Sequence, residues 1–346
     1  MENEETTNAA NSEQEIQQEA SASSLGFQDR INLAELQQAV EKLKQELAKV
    51  IIGQHDFIEL LIVSLLSNGH VLIEGVPGIA KTITAKLFAK AFKTDFSRIQ
   101  FTPDLMPSDV LGTSVLNMKT SEFEFKKGPI FSNMVLIDEI NRAPAKTQAA
   151  LFEVMEEKQV TIDGIMYPMA PPFMVLATQN PVEQEGTYAL PEAQLDRFLF
   201  KIKVDYPTFE EEVTILKTHH DRKMAKPMEV VTPVLTPEQL LDFKSKTQEV
   251  IIEDKILSYI AEIVTKTRTH PHLYLGGSPR ASLAIMNASK AFAAISGRDF
   301  VTPEDIKKSL FPVLRHRIIL SPEREMEGMT TENVIEIILQ SVEIPR

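Results

Sequence analysis

Residues 71–92, VLIEGVPGIAKTITAKLFAKAF, decide the fold because they combine a short apolar strand, a Gly/Pro turn and an amphipathic helix. After Thr82 the apolar residues recur at helical spacing, which predicts a helix with one buried face. In a phosphate-binding loop of this form, backbone N–H groups and the helix N-terminus face the phosphates. The predicted loop consists of Gly75, Val76, Pro77, Gly78, Ile79, Ala80, Lys81 and Thr82. We therefore predict a nucleotide site at this turn.

Three positions of the loop carry specific expectations. Lys81 is expected to reach the β- and γ-phosphate oxygens, and the Thr82 hydroxyl is expected to ligate Mg²⁺. Ala80 stands where the general form G-x-x-x-x-G-K-[ST] has glycine, so the loop requires a φ angle there that a Cβ atom tolerates. The short pattern alone would also fit a plain strand, turn and helix. The strand before the loop and the helix after it favour the phosphate site.

The composition limits the classes of function. With 346 residues, 43% of them hydrophobic, the chain can form two domains or one domain with a lid. A net charge of −13 disfavours a nucleic-acid surface, although a channel between subunits could be locally basic. The absence of cysteine excludes disulfides and thiolate metal sites. No apolar run approaches the ~20 residues that span a bilayer, and no signal pattern opens the chain, so a cytoplasmic protein is expected.

Composition also divides the chain into four segments. Residues 1–29 are acidic and poor in large apolar residues, which predicts a disordered tail that could also dock a partner. An α/β nucleotide-binding core is predicted for residues 30–206, a linker for 207–233 and an all-helical lid domain for 234–346. Beyond the linker, apolar residues recur at helical spacing, and the predicted helices are 236–250, 254–268, 279–295, 303–317 and 330–342.

The segment 131–139, FSNMVLIDE, predicts a buried parallel strand that ends in two carboxylates. Ligands of open α/β sheets bind beyond the carboxyl ends of the strands, so both carboxylates are expected beside the phosphate loop. There Asp138 would hold Mg²⁺, and Glu139 would orient and polarise the attacking water. The alternative is a solvated acidic strand end, which the phosphate loop upstream disfavours.

Three further polar residues each have a functional and a structural interpretation. Asn180 follows a predicted strand at 173–178 and either reaches the γ-phosphate or the attacking water, or is a turn residue before a proline. Arg197 is either half of a surface pair with Asp196 or an arginine presented to a neighbouring subunit's nucleotide. Arg280 lies in the first turn of a predicted helix, where the helix dipole disfavours a cation, which indicates an anionic partner or an exposed salt bridge.

Two segments within the core predict β-hairpins. Residues 110–130 alternate around a polar tip, Lys119-Thr120-Ser121, and residues 159–168 alternate around Asp163-Gly164. The histidines at 219–220 and 270–272 have no carboxylates around them at ligand spacing. We therefore interpret them as surface or linker residues rather than as a metal site.

Five motifs together resemble the MoxR family of AAA+ ATPases: GVPGIAKT, VLIDEINRAPAKTQAALFEVMEEKQVTIDG, ATQNP, LPEAQLDRF and GGSPRAS. The resemblance extends from residue 35 to the C-terminus, with the motifs in the family's order and spacing. The family also commonly has alanine at the position of Ala80. The resemblance implies a five-stranded parallel sheet with helices on both faces, a helical lid, and a ring, usually a hexamer, with ATP between subunits.

The resemblance also implies roles for individual residues. Asn180 would sense the γ-phosphate, Arg197 would be the arginine finger and Arg280 the lid sensor. The adenine would contact the segment 51–54, which includes Ile52, Gly53 and Gln54. Both hairpins would face the pore of the ring. Family members act as chaperone-like factors that mature or metal-load other complexes, often beside proteins with von Willebrand factor A domains.

Three classes of function remain. The first is an ATPase that remodels a protein client; the second is a related ring motor, such as a chelatase-type ATPase subunit or a nucleic-acid translocase; the third is a nucleotide-sensing scaffold with little turnover. The negative net charge disfavours the translocase. The residues Lys81, Asp138 and Glu139 disfavour the scaffold. The sequence therefore predicts the first class, with ATP and Mg²⁺ bound at the loop.

Overall fold

The structure is a computed structural model that describes residues 31–180, 188–223 and 225–345. From Leu33 onward, the described chain forms one compact unit. The predicted disordered tail, residues 1–29, lies outside the described residues.

The first part of this unit alternates helices and strands, as the sequence pattern predicts. A short 3₁₀ helix, Ile140–Arg142, follows the strand that ends in the acidic pair. In chain order the other elements are α1 (Ala34–Ala48), α2 (His55–Leu66), β1 (Val71–Glu74), α3 (Lys81–Ala91), β2 (Phe96–Gln100), α4 (Pro107–Leu111), β3 (Gly112–Asn117), β4 (Glu122–Lys127), β5 (Met134–Asp138), α5 (Ala145–Glu157), β6 (Gln159–Ile162), β7 (Ile165–Pro168), β8 (Met174–Gln179), α6 (Glu192–Leu195) and β9 (Phe200–Lys203).

Five of these strands form one parallel sheet in the order β2-β5-β8-β1-β9. Strand β5 is buried along its whole length and β8 along all but its last residue, because both faces of the sheet are covered. In the register of the sheet, Gln100 lies opposite Asp138, and Glu74 lies opposite Gln179. The carboxyl ends of the strands therefore meet at one edge. The predicted five-stranded parallel sheet is confirmed.

The apolar core beneath this edge fixes the position of α5. Val135 and Ile137 of β5 are fully buried together with Phe152 of α5 and Phe198, which precedes β9. The rings of Phe152 and Phe198 pack edge to face at 5.8 Å. Burying such a side chain contributes about 1.5–3 kcal/mol to stability. This packing holds α5 against the chain segment that carries Arg197.

The two predicted hairpins are both formed. Strands β3 and β4 pair antiparallel, as do β6 and β7, and the second hairpin turns through Asp163 (φ 51°) and Gly164 (φ 78°). Positive φ at both central turn residues is the reason for the Asp-Gly preference in tight hairpins. The hairpins touch each other, since Ser114 Oγ donates to Asp163 Oδ2 at 2.5 Å. They therefore form a single two-hairpin unit.

The second part of the unit is almost entirely helical. All five helices predicted beyond residue 233 are formed, each beginning within one residue of its predicted start. Two of them begin with Thr-Pro, where proline has no intrahelical N–H bond to lose. The elements are α7 (Phe209–Arg222), α8 (Pro227–Val230), α9 (Pro237–Gln248), α10 (Asp254–Thr269), β10 (Leu273–Leu275), α11 (Pro279–Ile295), α12 (Pro303–Leu314), β11 (Ile319–Leu320), α13 (Pro322–Met326) and α14 (Thr331–Ser341).

The segment 207–233, predicted as a linker, contains helices α7 and α8. Thr208 and Glu211 form a capping box at the start of α7, which stabilises the first turn. No residue of α7 is buried, so the helix connects the two parts without contributing a core face. The boundaries proposed for the core and the lid stay a prediction.

The paired histidines have different surroundings. His219 and His220 are exposed on α7, while the rings of His270 and His272 are half-buried and pack edge-on at 4.9 Å. Among the described residues, no group of three or more His, Cys, Asp or Glu side chains is placed to hold a metal ion. In the same part of the chain, no helix is both long and apolar enough to cross a membrane.

Candidate nucleotide-binding site

The predicted loop leaves β1 at Gly75 and enters α3 at Lys81. A Cβ atom at Gly75 would lie 2.5 Å from Ile79 Cδ1 and 2.8 Å from the carbonyl oxygen of Val204, so only glycine fits there. Gly78 has open space around it but a φ of +91°, so its backbone conformation requires glycine. Glycine is thus required at Gly75 because a side chain would clash, and at Gly78 because of the backbone conformation.

The backbone strain of the loop is concentrated at Ala80, which has φ 63° and ψ 16° in the left-handed region. The φ angle lies in the small left-handed region that a residue with a Cβ atom can adopt, but only at a cost. A left-handed conformation costs a non-glycine residue roughly 1–2 kcal/mol. The first turn of α3 holds the residue in place, because the Ala80 carbonyl accepts from Thr84 N at 2.9 Å and from Thr84 Oγ1 at 3.0 Å.

Replacing Ala80 with glycine should stabilise the protein. The change removes the strain but adds chain entropy to the unfolded state, which leaves a net gain of about 0.5–1 kcal/mol in the free energy of unfolding. Urea unfolding of Ala80→Gly measures the gain. The matched control is Ala261→Gly, at an exposed position of α10, which should lose about 1 kcal/mol. Equal losses of unfolding free energy in the two variants would show that the backbone at Ala80 is not strained.

Lys81 is held inside the loop at the start of α3. Its Nζ donates to the carbonyl oxygens of Gly75 at 2.5 Å and Val76 at 3.2 Å. Burial lowers the pKa of Lys81, and the negative charges of Asp138 and Glu139 act in the opposite direction. The ammonium group therefore binds the loop carbonyls and is stabilised by the charge of the acidic pair.

Asp138 is the last residue of β5 and is only 7% exposed. Its Oδ1 accepts from Thr178 Oγ1 at 3.3 Å, and its Oδ2 accepts from Arg98 Nε at 2.5 Å. The predicted position at the carboxyl end of a buried strand is thus observed. A carboxylate in this place offers the hard oxygen ligands that Mg²⁺ prefers.

Glu139 follows in a left-handed conformation, with φ 57° and ψ 54°. Its backbone N–H donates to Thr178 Oγ1 at 3.0 Å. Its Oε2 accepts from Gln100 Nε2 at 2.8 Å and pairs with Arg142 Nε at 2.9 Å. Strained non-glycine residues concentrate at functional sites, where the surroundings over-determine them. The strain and the two donors together fix the direction of the Glu139 carboxylate.

A cavity of about 440 Å³ brings most of the predicted site residues together. Its volume lies in the range of small-molecule sites. Arg197 and Arg280 are not among the described residues that line it. The lining residues are Pro77, Gly78, Ala80, Lys81, Thr82, Ile83, Arg98, Gln100, Asp138, Glu139, Thr178 and Asn180.

The segment predicted to contact adenine is tied to the loop by Gln54. Its Nε2 donates to the carbonyl oxygen of Ile79 at 2.9 Å. Its Oε1 is buried and has no hydrogen-bond partner in the described part of the chain. Gly53 has a φ of +76°, and Ile52 is half-buried beside it. Buried acceptors are normally satisfied, so this oxygen fits a ligand that brings a donor.

Arg197 and Arg280 lie together, although 83 positions separate them in the sequence. Both contact Glu156 near the end of α5: Arg280 Nη2 lies 2.6 Å from Oε1, and Arg197 Nη1 lies 3.5 Å from Oε2. Arg197 Nη1 also donates to the carbonyl oxygen of Phe152 at 2.8 Å. The structure therefore forms the salt bridge that was one of the two interpretations of Arg280.

Asp196 does not pair with Arg197 but with two residues of the helical part. Its Oδ1 accepts from Arg317 Nε at 2.6 Å, and its Oδ2 accepts from Ser278 Oγ at 3.0 Å. The interpretation of Asp196 and Arg197 as a surface pair is wrong, because successive residues of a helical turn point in different directions.

Sequence reasoning missed four residues of the cavity region: Arg98, Gln100, Arg142 and Thr178. Arg98 and Gln100 alternate with Ile99 on β2, so both point to the same side of the strand. This alternation of polar and apolar residues is the sequence signal that could have indicated two polar side chains on one face of β2. The position of β2 beside β5 is non-local, so the sequence could not place these donors next to the acidic pair.

Comparisons with known proteins agree with this geometry. Residues 70–200 match the model described as "ATPase family associated with various cellular activities (AAA)", and residues 265–338 match an AAA lid domain. Chaperone MoxR1 of Mycobacterium tuberculosis is 42% identical over 316 residues, which span 89% of this chain and 82% of the relative. The Bacillus subtilis protein YeaC is 48% identical over 304 residues, which span 88% and 94%. A crystal structure of a Cytophaga hutchinsonii protein assigned as an ATPase has a TM-score of 0.85 at 42% identity, with 91% and 97% covered.

Proposed function

Since the chain belongs to the MoxR family of AAA+ ATPases, we propose that it hydrolyses ATP with Mg²⁺ and uses this reaction to remodel or mature a protein client. The observation that carries the proposal is the convergence of Lys81, Asp138 and Glu139 on one cavity. A cation, a hard oxygen ligand and a fixed carboxylate are the parts that phosphoryl transfer to water requires.

The residues present fit both ATP and Mg²⁺. The N–H groups of the loop and of the first turn of α3 would hold the phosphates, with Lys81 beside them. The Thr82 hydroxyl and the Asp138 carboxylate would hold Mg²⁺. The orphaned acceptor Gln54 Oε1 supports a base with an amino donor. Bound Mg²⁺ neutralises charge on the transferring phosphoryl group.

Glu139 is the proposed general base. Gln100 and Arg142 both bind its Oε2 atom, so the orientation of the carboxylate does not have to be established during the reaction. Asn180 lines the same cavity and would place its side chain amide near the γ-phosphate or the attacking water. Arg98 shares Asp138 Oδ2 and keeps this carboxylate aligned at the strand end.

Arg197 and Arg280 support an oligomeric site. Neither lines the cavity in the described part of the chain, yet both carry exposed charge, with 30% and 48% of their side chains accessible. We propose that they act on the nucleotide of a neighbouring subunit in a ring, usually a hexamer in this family. We also propose a partner protein with a von Willebrand factor A domain. The domain boundaries that we propose are residues 30–206 for the core and 234–346 for the lid.

The two-hairpin unit supports a protein client. Its tips expose large apolar side chains that a monomer has no reason to present to water. Met118 and Phe123 of the first hairpin are 83% and 74% exposed, and Ile165 and Met166 of the second are 57% and 65% exposed. We propose that these tips contact the client.

The proposal is tested by phosphate release with Mg²⁺ or EDTA, and with or without casein as a permanently unfolded probe. We expect hydrolysis only with Mg²⁺, and stimulation by casein. Deleting the tip 119–121 should spare basal hydrolysis and remove the stimulation, because no residue of the tip is among the described residues that line the cavity. Absence of hydrolysis with Mg²⁺ would refute the proposed ATPase activity. Absence of stimulation of the intact protein by casein would refute the proposed action on a protein client. If the deletion lowers the basal and the stimulated rates equally, the hairpin has a structural role in its own subunit rather than a role in client binding.

A further inference from the structure

Glu156 connects the two arginines through separate oxygens of one carboxylate. It lies one residue before the end of α5, and its side chain is 39% exposed. Oε1 binds Arg280 at 2.6 Å and Oε2 lies 3.5 Å from Arg197. Two like charges that approach this closely repel each other, and a shared carboxylate offsets the repulsion. The three side chains therefore carry a net charge of about +1, which remains suited to an anion.

The surface of α5 gives Arg197 a second anchor. The Phe152 carbonyl, one helical turn before Glu156, accepts from the same Nη1 atom at 2.8 Å. The ring of Phe152 in turn packs against Phe198, the residue that follows Arg197. The Arg197 guanidinium is thus fixed to α5 at two points, and Glu156 is the charged one.

The backbones of the two arginines are tied independently of Glu156. Asp196 accepts from Ser278, two residues before Arg280, at 3.0 Å. It also pairs with Arg317, whose side chain is 3% exposed. Asp196 thus fixes where the two arginines leave the backbone, and what remains for Glu156 is the direction of their side chains.

We propose that Glu156 is a positioning residue that aligns Arg197 and Arg280 as one unit, so that both reach the same phosphate group of a neighbouring subunit's ATP. The proposal rests on the proposed function, because it requires hydrolysis at a shared site. Glu156 does not touch the cavity of its own subunit in the described residues. Its effect should therefore appear at the neighbour's site.

Replacing Glu156 with alanine should lower kcat and leave KM for ATP near the wild-type value. The loop that binds ATP is unchanged, while two arginines lose their common anchor. Misplacing a catalytic group by about 1 Å costs on the order of 10²-fold in rate. Glu156→Gln should be intermediate, because its amide offers one acceptor where the carboxylate offers two. Glu157→Gln, at the next and exposed position of α5, is the matched control and should keep wild-type kcat.

Mixed rings separate positioning from a general structural defect. Mixing Glu156→Ala with Glu139→Gln should restore part of the activity, since some interfaces then pair an intact Glu139 with an intact arginine unit. Mixing Glu156→Ala with Arg197→Ala should restore none, since every interface lacks a complete unit. If the mixture with Glu139→Gln stays inactive although both subunits co-assemble, Glu156 does not act through the neighbouring site and the proposal is overturned.

The outcome also distinguishes this proposal from the proposed function. Wild-type kcat in Glu156→Ala, together with a large loss in Arg197→Ala, would overturn the role of Glu156 alone. Wild-type kcat in both variants would overturn the catalytic role of Arg197 and with it the premise of the proposal. Recovery only in the mixture with Arg197→Ala would place Glu156 on the Glu139 side of the interface and would overturn the proposal.

Discussion

Glu139→Gln is expected to bind ATP as tightly as the unchanged protein and to lose turnover by about 10²–10⁴-fold, the range that a general base contributes. Gln keeps the shape of the side chain but cannot accept a proton from water. Lys81→Ala should instead weaken ATP binding, because it removes the ammonium group that the loop carbonyls hold inside the phosphate-binding loop. Titration with a fluorescent ATP analogue measures binding, and phosphate release measures turnover.

Two controls make the Glu139→Gln result interpretable. Glu153→Gln changes an exposed carboxylate on α5 in the same way and should leave turnover unchanged. The free energy of unfolding of Glu139→Gln should stay close to that of the unchanged protein, since Gln can still accept from Gln100. Undiminished hydrolysis in Glu139→Gln would refute the role of this carboxylate in activating water.

The elements that the sequence predicted correctly are those specified by local patterns. The apolar runs of β1, β5 and β8 could be identified because strands buried on both faces are continuously apolar. Two helix starts in the second part carry Thr-Pro signals, and the Asp163-Gly164 turn requires the positive φ angles that are observed. Helix α7 was missed because it buries no residue, so no apolar face indicates it strongly.

Contacts between distant elements could not be predicted. The order of the strands places Arg98 and Gln100 beside the acidic pair, and nothing local in the sequence gives that order. Glu156 likewise lies in a helix whose two arginine partners come from other parts of the chain. Asp196 and Arg197 illustrate the opposite error, since adjacency in the sequence suggested a pair that the helix geometry separates.

Arg197→Ala should retain ATP binding and lose about 10³–10⁵-fold in turnover, the effect of an arginine finger in other phosphoryl-transfer proteins. The reason is that Arg197 does not line the cavity that holds Lys81 and Glu139 in the described residues, as expected of an arginine that serves a neighbouring subunit's nucleotide. The site of a single chain would then be incomplete. Specific activity of the unchanged protein should accordingly rise with protein concentration as subunits assemble.

The control for Arg197→Ala is Arg324→Ala, which removes an exposed arginine of α13. In the described structure, the side chain of Arg324 pairs with the nearby Glu327. The control variant should keep full turnover. Mixing Arg197→Ala with Glu139→Gln should recover part of the activity, because some interfaces combine an intact Glu139 with an intact Arg197. Co-assembly has to be verified by size-exclusion chromatography of differently tagged subunits. If the subunits co-assemble and the mixture stays inactive, Arg197 does not act on the neighbouring site, and its contacts with Phe152 and Glu156 are better explained as stabilising its own subunit.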